Sequence, residues 1–461
     1  MVRRGYGERS LFEVLLPDGN KLWDPVLKEI DQLLEDEELL DEFQRALERR
    51  RPKSRRWGRP GTPAEVALRM LVLKHLYDWS FDECEREVRA SLVYRSFCRI
   101  YCERVPDAKT LIRIAKLIDE QTLREISKRL VSIARGRRVI RGDRMRVDTT
   151  VVETDIHYPT DSSLLGDGVR VLQRGIRKLG KLVGGLKLRD RTRSVRRKMF
   201  EIARLSRRPG SEEAQAKRKK RYRELMSLAK VTMREIERSI RSIVSRKLAE
   251  PARSRARKLC SELREKLALV KRVLLQTRAR ILQDDTHYPN KLLSLFEPHT
   301  EAIRKGKASK PTEFGKLLKI QEAESQFITD FEVCQKRVPD KTLWVPSLER
   351  HQELFGRPPR LATADAGFSS AANRQAAEDM GVKRVALLGK TKNTSPAQRR
   401  WFRKALRWRT GSEGRISALK RRHGLRRSRY RGMDGMQRWV GFGVVTNNLL
   451  AIARAHLGGP P

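Results

Sequence analysis

Apolar positions along this chain keep two different periods, and the switches between them mark out its elements. Residues 10 to 50 repeat at helical spacing through Leu33, Leu34, Leu39, Leu40, Phe43 and Leu47, with an acidic middle from Glu35 to Glu42. Arg49 to Gly61 then mixes Pro, Gly and Arg, so it cannot continue a helix and reads as an extended linker, or as a basic Gly-Arg-Pro segment of the kind that lies in an A·T-rich minor groove. Helical spacing returns from Thr62 to Arg135: Val66, Met70, Leu73 and Tyr77 form one stripe, and Ser80 with Glu83 three residues on forms a capping box. Leu111, Ile114 and Leu117, then Leu123, Ile126 and Leu130, continue the series. Several short helices of this kind can present one to a major groove, or can merely pack.

At Arg144 the pattern changes. Val147, Thr149, Thr150, Val151 and Val152 are β-branched and do not alternate, which predicts a strand buried on both faces of a mixed sheet. From Leu165 to Leu282 the period is helical again. Tyr222, Leu225, Ala229, Met233, Ile236, Ile240 and Ile243 form one long seam and Leu259, Leu263, Leu267, Val270, Leu274 and Ile281 another, with Pro251 between them. This predicts an antiparallel hairpin with facing apolar seams and basic outer faces. Similar turns, Asp155-Ile-His-Tyr-Pro159 and Asp285-Thr-His-Tyr-Pro289, bracket it, as they would an insertion. Strands are then expected over 313–320, 326–333, 360–364 and 383–388, helices over 341–355, 371–380 and 401–422, and a polar loop over 390–398.

Charge changes this picture more than composition does. The 461 residues carry 103 Lys and Arg against 57 Asp and Glu, a formal +46, and self-repulsion of that size points to a polyanionic partner. Nucleic acid fits best, because an acidic membrane would call for basic helices with bulky apolar faces, whereas these have narrow seams. No apolar stretch approaches the roughly 20 residues of a membrane span, and Met1 to Gly19 lacks a signal-peptide core, so a cytoplasmic protein is expected. Five scattered cysteines, Cys84, Cys98, Cys102, Cys260 and Cys334, show no zinc spacing and read as reduced small hydrophobes.

Candidate chemistry sits at three carboxylates. Asp148 interrupts the buried strand, where an ionised side chain needs a cation or a buried Arg; a strand-end Asp bonded to a loop is the plainer alternative. Asp365 ends a strand in Leu361-Ala-Thr-Ala-Asp-Ala-Gly-Phe-Ser-Ser, with Gly367 for a turn and Ser369 or Ser370 as a helix cap. Arg409, Glu413 and Lys420 fall on one helical face, although Gly411 and Gly414 weaken the helix. An ion pair between Arg409 and Glu413 is the plain alternative there. Three acids from three elements would make a site for two divalent metals, which clamp the attacking and leaving oxygens of a phosphodiester.

In this ordered set the chain resembles the DDE transposases of bacterial insertion sequences. Val147-Asp-Thr-Thr-Val-Val resembles their first-Asp strand, and Thr363-Ala-Asp-Ala-Gly-Phe their second. Arg409, Glu413 and Lys420 resemble their Tyr-Arg-Glu-Lys signature, with Leu406 at the Tyr position and Trp408 close by. Residues around Ala67 to Leu117 and Trp439 to Arg454 extend the likeness. The resemblance implies an RNase H-like catalytic core and a triad of Asp148, Asp365 and Glu413 that holds Mg²⁺, with Mn²⁺ as a substitute. It implies DNA contacts by Arg409, Lys420, Arg415 and Trp408, double-stranded DNA (terminal inverted repeats and target) as partner, a homodimer on DNA, and nucleoid association when bound. Cleavage and strand transfer would follow; a related nuclease without strand transfer, or a non-catalytic DNA-packaging protein, are the alternatives.

The expected fold is therefore α+β. It has an N-terminal helical segment with basic linker (1–61), a helical DNA-binding domain (62–140), the first part of an RNase H-like mixed-sheet core (141–164), a basic helical insertion (165–290), and the rest of the core with C-terminal helices (291–461).

Overall fold

Strand β1 (Arg144–Thr154) is buried along nearly its whole length, as its unbroken β-branched run requires, and the sheet is assembled around it. On one side it pairs antiparallel with β3 (Glu313–Glu322), Arg146 standing opposite Glu322; on the other it pairs parallel with β5 (Leu361–Ala364), Val147 opposite Ala364. The order is β2 (Glu301–Ile303), β3, β1, β5, β6 (Arg384–Leu387), with β4 (Ile328–Val333) paired to β3 and the short β7 (Arg427–Ser428) to the far end of β1. The sheet is mixed, because β1 bonds to an antiparallel and a parallel neighbour at once.

This computed structural model describes residues 3–4, 22–49, 61–184, 186, 189–207, 211–246, 248–304, 311–388 and 400–458. The basic linker and the 390–398 loop expected from the sequence lie outside them. The chain forms two compact units, 1–155 with 303–461, and 156–302.

Among the described residues of the first unit, seven helices precede the sheet: α1 (Pro25–Leu33), α2 (Glu37–Arg49), α3 (Ala64–Leu76), α4 (Phe81–Ala90), α5 (Leu92–Phe97), α6 (Ala108–Ala115) and α7 (Glu120–Gly136). The capping box is present: the Ser80 hydroxyl accepts from the Glu83 amide at 3.1 Å, and the Glu83 carboxylate accepts from the Ser80 amide at 2.7 Å. Helix α3 is apolar on nearly all sides and is the centre of this bundle. The final helix, α15 (Met433–His456), is likewise enclosed, and its Phe442, Val445, Leu449 and Ile452 share a core with α1 to α7. Helices α12 (Trp344–Phe355), α13 (Ala371–Asp379) and α14 (Arg400–Arg422) come from the second half of the chain. The helix expected over 341–355 opens with a short 3₁₀ turn, Asp340–Leu343, and Ser370 rather than Ser369 caps α13.

Among its described residues the second unit has four helices, α8 (Asp161–Val183), α9 (Thr192–Ser206), α10 (Glu212–Val244) and α11 (Ala252–Leu282). The two long seams are where the sequence puts them, but they do not chiefly face each other: α11 packs mainly on α8, and α10 packs on α8 and α9 about equally. The reason is α8 itself, which brings Leu165, Val169, Leu172, Ile176 and Leu179 as a third apolar face. Its Gly168 and Gly175 let α11 come close, since a Cβ there would meet Val270 at 2.8 Å and Leu263 at 2.5 Å.

Candidate active site

The parallel register of β1 and β5 sets the site. Because Val147 stands opposite Ala364, the next residues along come side by side: Asp148 in the middle of β1 and Asp365 just past the carboxyl end of β5. Asp148 is half-buried within β1, whereas Asp365 leaves the sheet and is 57% exposed. One Asp148 oxygen accepts from the Thr149 amide at 2.7 Å, and the other from the Ser412 hydroxyl on α14 at 2.8 Å. Asp365 Oδ1 accepts from the Ala366 amide at 2.6 Å, capping a 3₁₀ turn, and lies 3.7 Å from the Arg409 guanidinium.

Helix α14 is carried to this place by Phe402, Ala405, Ser412 and Leu419 on its buried face. A second tether is Arg146, two residues before Asp148. Its guanidinium is buried, bonds Glu322 at 2.6 Å and the Trp408 carbonyl at 2.6 Å, and stacks 5.0 Å from the Trp408 ring. Burial raises the Glu322 carboxyl above its ordinary range, and the adjacent Arg146 opposes that rise. Helix α14 crosses Arg146 at Gly411, where a Cβ would stand 2.6 Å from the guanidinium, so that glycine serves a close approach within an unbroken helix.

Asp148 and Asp365 line a cleft of about 590 Å³ together with Thr149, Arg304, Arg337 and a third carboxylate, Asp340. Asp340 accepts from the Thr149 hydroxyl at 3.0 Å, and its approach depends on Gly367, where a Cβ would be 2.9 Å from Asp340 Oδ2. Gly367 thus admits a neighbour, beyond the turn that the sequence assigns it. Asp340 carried no sequence signal, since Val-Pro-Asp-Lys reads as a plain turn. Arg146 did carry one, an arginine inside a β-branched run.

The remaining sequence-derived residues are placed differently. Glu413 follows Ser412 on α14 but is exposed and makes no ion pair among the described residues, so the Arg409–Glu413 pair is absent there and Arg409 turns to Asp365. Among the described residues, no three His, Cys, Asp or Glu side chains gather closely enough to hold a metal ion. Arg415 is directed inward, to Asn447 at 2.9 Å and to Gln326, and burial lowers its guanidinium from the usual range. Trp408 lies against Arg146, and Lys420 is half-buried near the end of α14. All five cysteines are free thiols, and among the described residues no helix is long and apolar enough to cross a membrane.

Residues 12–117 match the family model described as Transposase domain (DUF772), which supports an insertion-sequence transposase. A Rhizobium meliloti protein described as uncharacterized protein ORF8 in nfe locus is 31% identical over 129 residues, 27% of this chain and 62% of that protein. The chain therefore spans about three fifths of the length of this relative. No solved structure matches.

Proposed function

We propose that this protein is a transposase of an insertion sequence that cuts and joins DNA at the cleft formed by Asp148 and Asp365, on an RNase H-like core of the DDE type. The observation that carries the reading is the register of β1 and β5, which sets two carboxylates together beneath a helix bearing Arg409 and Ser412. The match of residues 12–117 to a transposase domain supports the same reading from another part of the chain.

The donor chemistry of the cleft suits a hard divalent cation, since Asp148, Asp365 and Asp340 offer carboxylate oxygens and no thiol or imidazole is among its described lining residues. Asp148 and Asp365 would hold Mg²⁺ or Mn²⁺, and Glu413, exposed one residue beyond Ser412, would complete the shell as α14 adjusts on DNA. Such ions, when bound, activate water or a 3′-hydroxyl and stabilise the leaving oxygen. The chain's own residues do the positioning. Ser412 fixes the Asp148 carboxylate by donating to Oδ2, and Arg146 holds α14 through the Trp408 carbonyl. Arg304 and Arg337 at the cleft would offer a phosphate two guanidiniums, and Arg409, now 3.7 Å from Asp365, would turn to the DNA backbone if Asp365 held a cation.

The test is Asp148→Asn and Asp365→Asn in cleavage and strand-transfer assays with DNA carrying the element's ends. Each should lose about 10³-fold or more in Mg²⁺-dependent cleavage, the equivalent of several kcal/mol, and keep its affinity for duplex DNA. Cleavage near the parent rate by either variant overturns the assignment. Cleavage without joining by the parent protein would instead favour a nuclease.

A further inference from the structure

The second unit contains a strongly basic groove, remote in sequence from every residue of the cleft. Residues 156–302 hold 38 Lys and Arg against 16 Asp and Glu, a net +22, so under a third of the chain carries nearly half of its charge. Part of that charge is gathered between α9 and α10, in a groove of about 830 Å³ whose lining includes seven Lys and Arg and a single acid, Glu201.

Three of those cations have partners: Arg197 and Arg221 reach Glu201 at 3.9 and 2.9 Å, and Lys217 bonds Glu213 at 2.5 Å. Arg193, Arg196, Arg204 and Lys220 are exposed and form no ion pair among the described residues. Their spacing is not that of an ordinary solvated face, in which acids and bases alternate. On α9, Arg193, Arg196 or Arg197, Phe200 and Arg204 recur at three to four residues, on the side away from the buried Val195 and Ile202. From Arg193 to Arg204 the helix rises about 16 Å, roughly five base-pair steps of a duplex strand at 3.4 Å each. Phe200 is 63% exposed in the middle of the stripe with the Arg196 guanidinium 5.5 Å above its ring, so that arginine is held over the groove.

We propose that the α9/α10 groove binds the phosphate backbone of duplex DNA, as a contact surface separate from the cleavage site. Four uncompensated cations along one groove repel each other in the free protein, and a polyanion of matching spacing relieves that repulsion. A single exposed aromatic is too little apolar surface for a membrane-binding face. The inference rests on the DNA-acting function proposed above, but its readout does not use cleavage.

The experiment is equilibrium binding of the full chain, in EDTA, to a fluorescent duplex of roughly 30 bp and unrelated sequence, between about 50 and 200 mM salt. With Arg193, Arg196, Arg204 and Lys220 all changed to Gln, the slope of log K against log salt should fall by about three to four, close to 0.9 per lost phosphate contact. Arg204→Gln alone should lower it by about one. The comparison variant changes Lys178, Lys181, Arg255 and Lys258 to Gln, removing equal charge from α8 and α11. A slope unchanged by the first set, or lowered equally by both, overturns the proposal, as does tighter binding of single-stranded RNA than of duplex DNA. Loss of cleavage on Asp148→Asn bears on the active site alone, because these binding curves contain no metal.

Discussion

Lys74 is 2% exposed, and its ammonium finds no hydrogen-bond partner among the described residues. It is enclosed by three rings, with the Trp439 centroid at 4.5 Å and those of Phe81 and Tyr430 each at 5.3 Å. Burial pushes its pKa down to about 7, while Asp78 and the ring faces favour the cation. In the unfolded chain the group titrates near 10.4, so between the two values the unfolded state binds more protons and folding is favoured as pH rises. Stability should therefore climb by up to a few kcal/mol from pH 7 to pH 10, as followed by urea melts. Lys74→Met keeps the stem, removes the ammonium, and should raise stability at pH 7 and flatten this rise. A variant less stable than the parent at pH 7 would mean that the ring contacts outweigh desolvation.

At the scale of elements, the connection that matters most for the cleft is the one between β1 and α14. Arg146 makes it, and Arg146 and Glu322 are each at most 3% exposed, so removing one partner strands the other. Arg146→Met should cost about 3 to 5 kcal/mol and slow cleavage, because α14 loses its bond through the Trp408 carbonyl. The joint change of Arg146 and Glu322 to Met should recover most of the stability, since apolar residues often replace a buried pair at little cost, but not the cleavage. Equal losses in the single and joint variants, measured by urea melts, would show that the two residues are not coupled. What could be read in advance follows the same division. Elements whose periodicity is set by burial were legible: β1 by its β-branched run, the α10 and α11 seams by threes and fours, and Asp365 by its place between a strand and a cap. Contacts between distant elements were not. Nothing local indicates that Gly411 makes room for Arg146, that Gly367 admits Asp340, or that Ser412 rather than Glu413 is the α14 residue that bonds Asp148. Such pairings depend on how far a helix rolls on a sheet, which amphipathic spacing specifies only to within a residue.

At the scale of the whole molecule the second unit stands out, because its apolar residues form a core of their own. Leu165, Leu172 and Ile176 of α8, Val195 and Ile202 of α9, Leu225 and Ile236 of α10, and Leu263 and Val270 of α11 belong to one cluster, which among the described residues contains none outside 156–302. A segment of this size, with four helices and a closed core, has what an independently folding domain needs. Expressed alone, residues 156–302 should give a helical far-UV spectrum and a cooperative thermal transition. Its net +22 works against that compact state, and salt screens the repulsion, so the midpoint should rise as ionic strength increases from about 0.05 to 0.3 M. The direction is the reverse of that expected for the proposed DNA binding, where the same salt would weaken the complex by making counterion release less favourable. One titration thus separates two roles of the same charges: added duplex DNA at low salt should raise the midpoint more than salt alone, and the increment should vanish at high salt. A helical segment without a cooperative transition would show that its core needs the first unit to close, and a midpoint insensitive to both salt and DNA would show that its cations are too dispersed to repel or to bind.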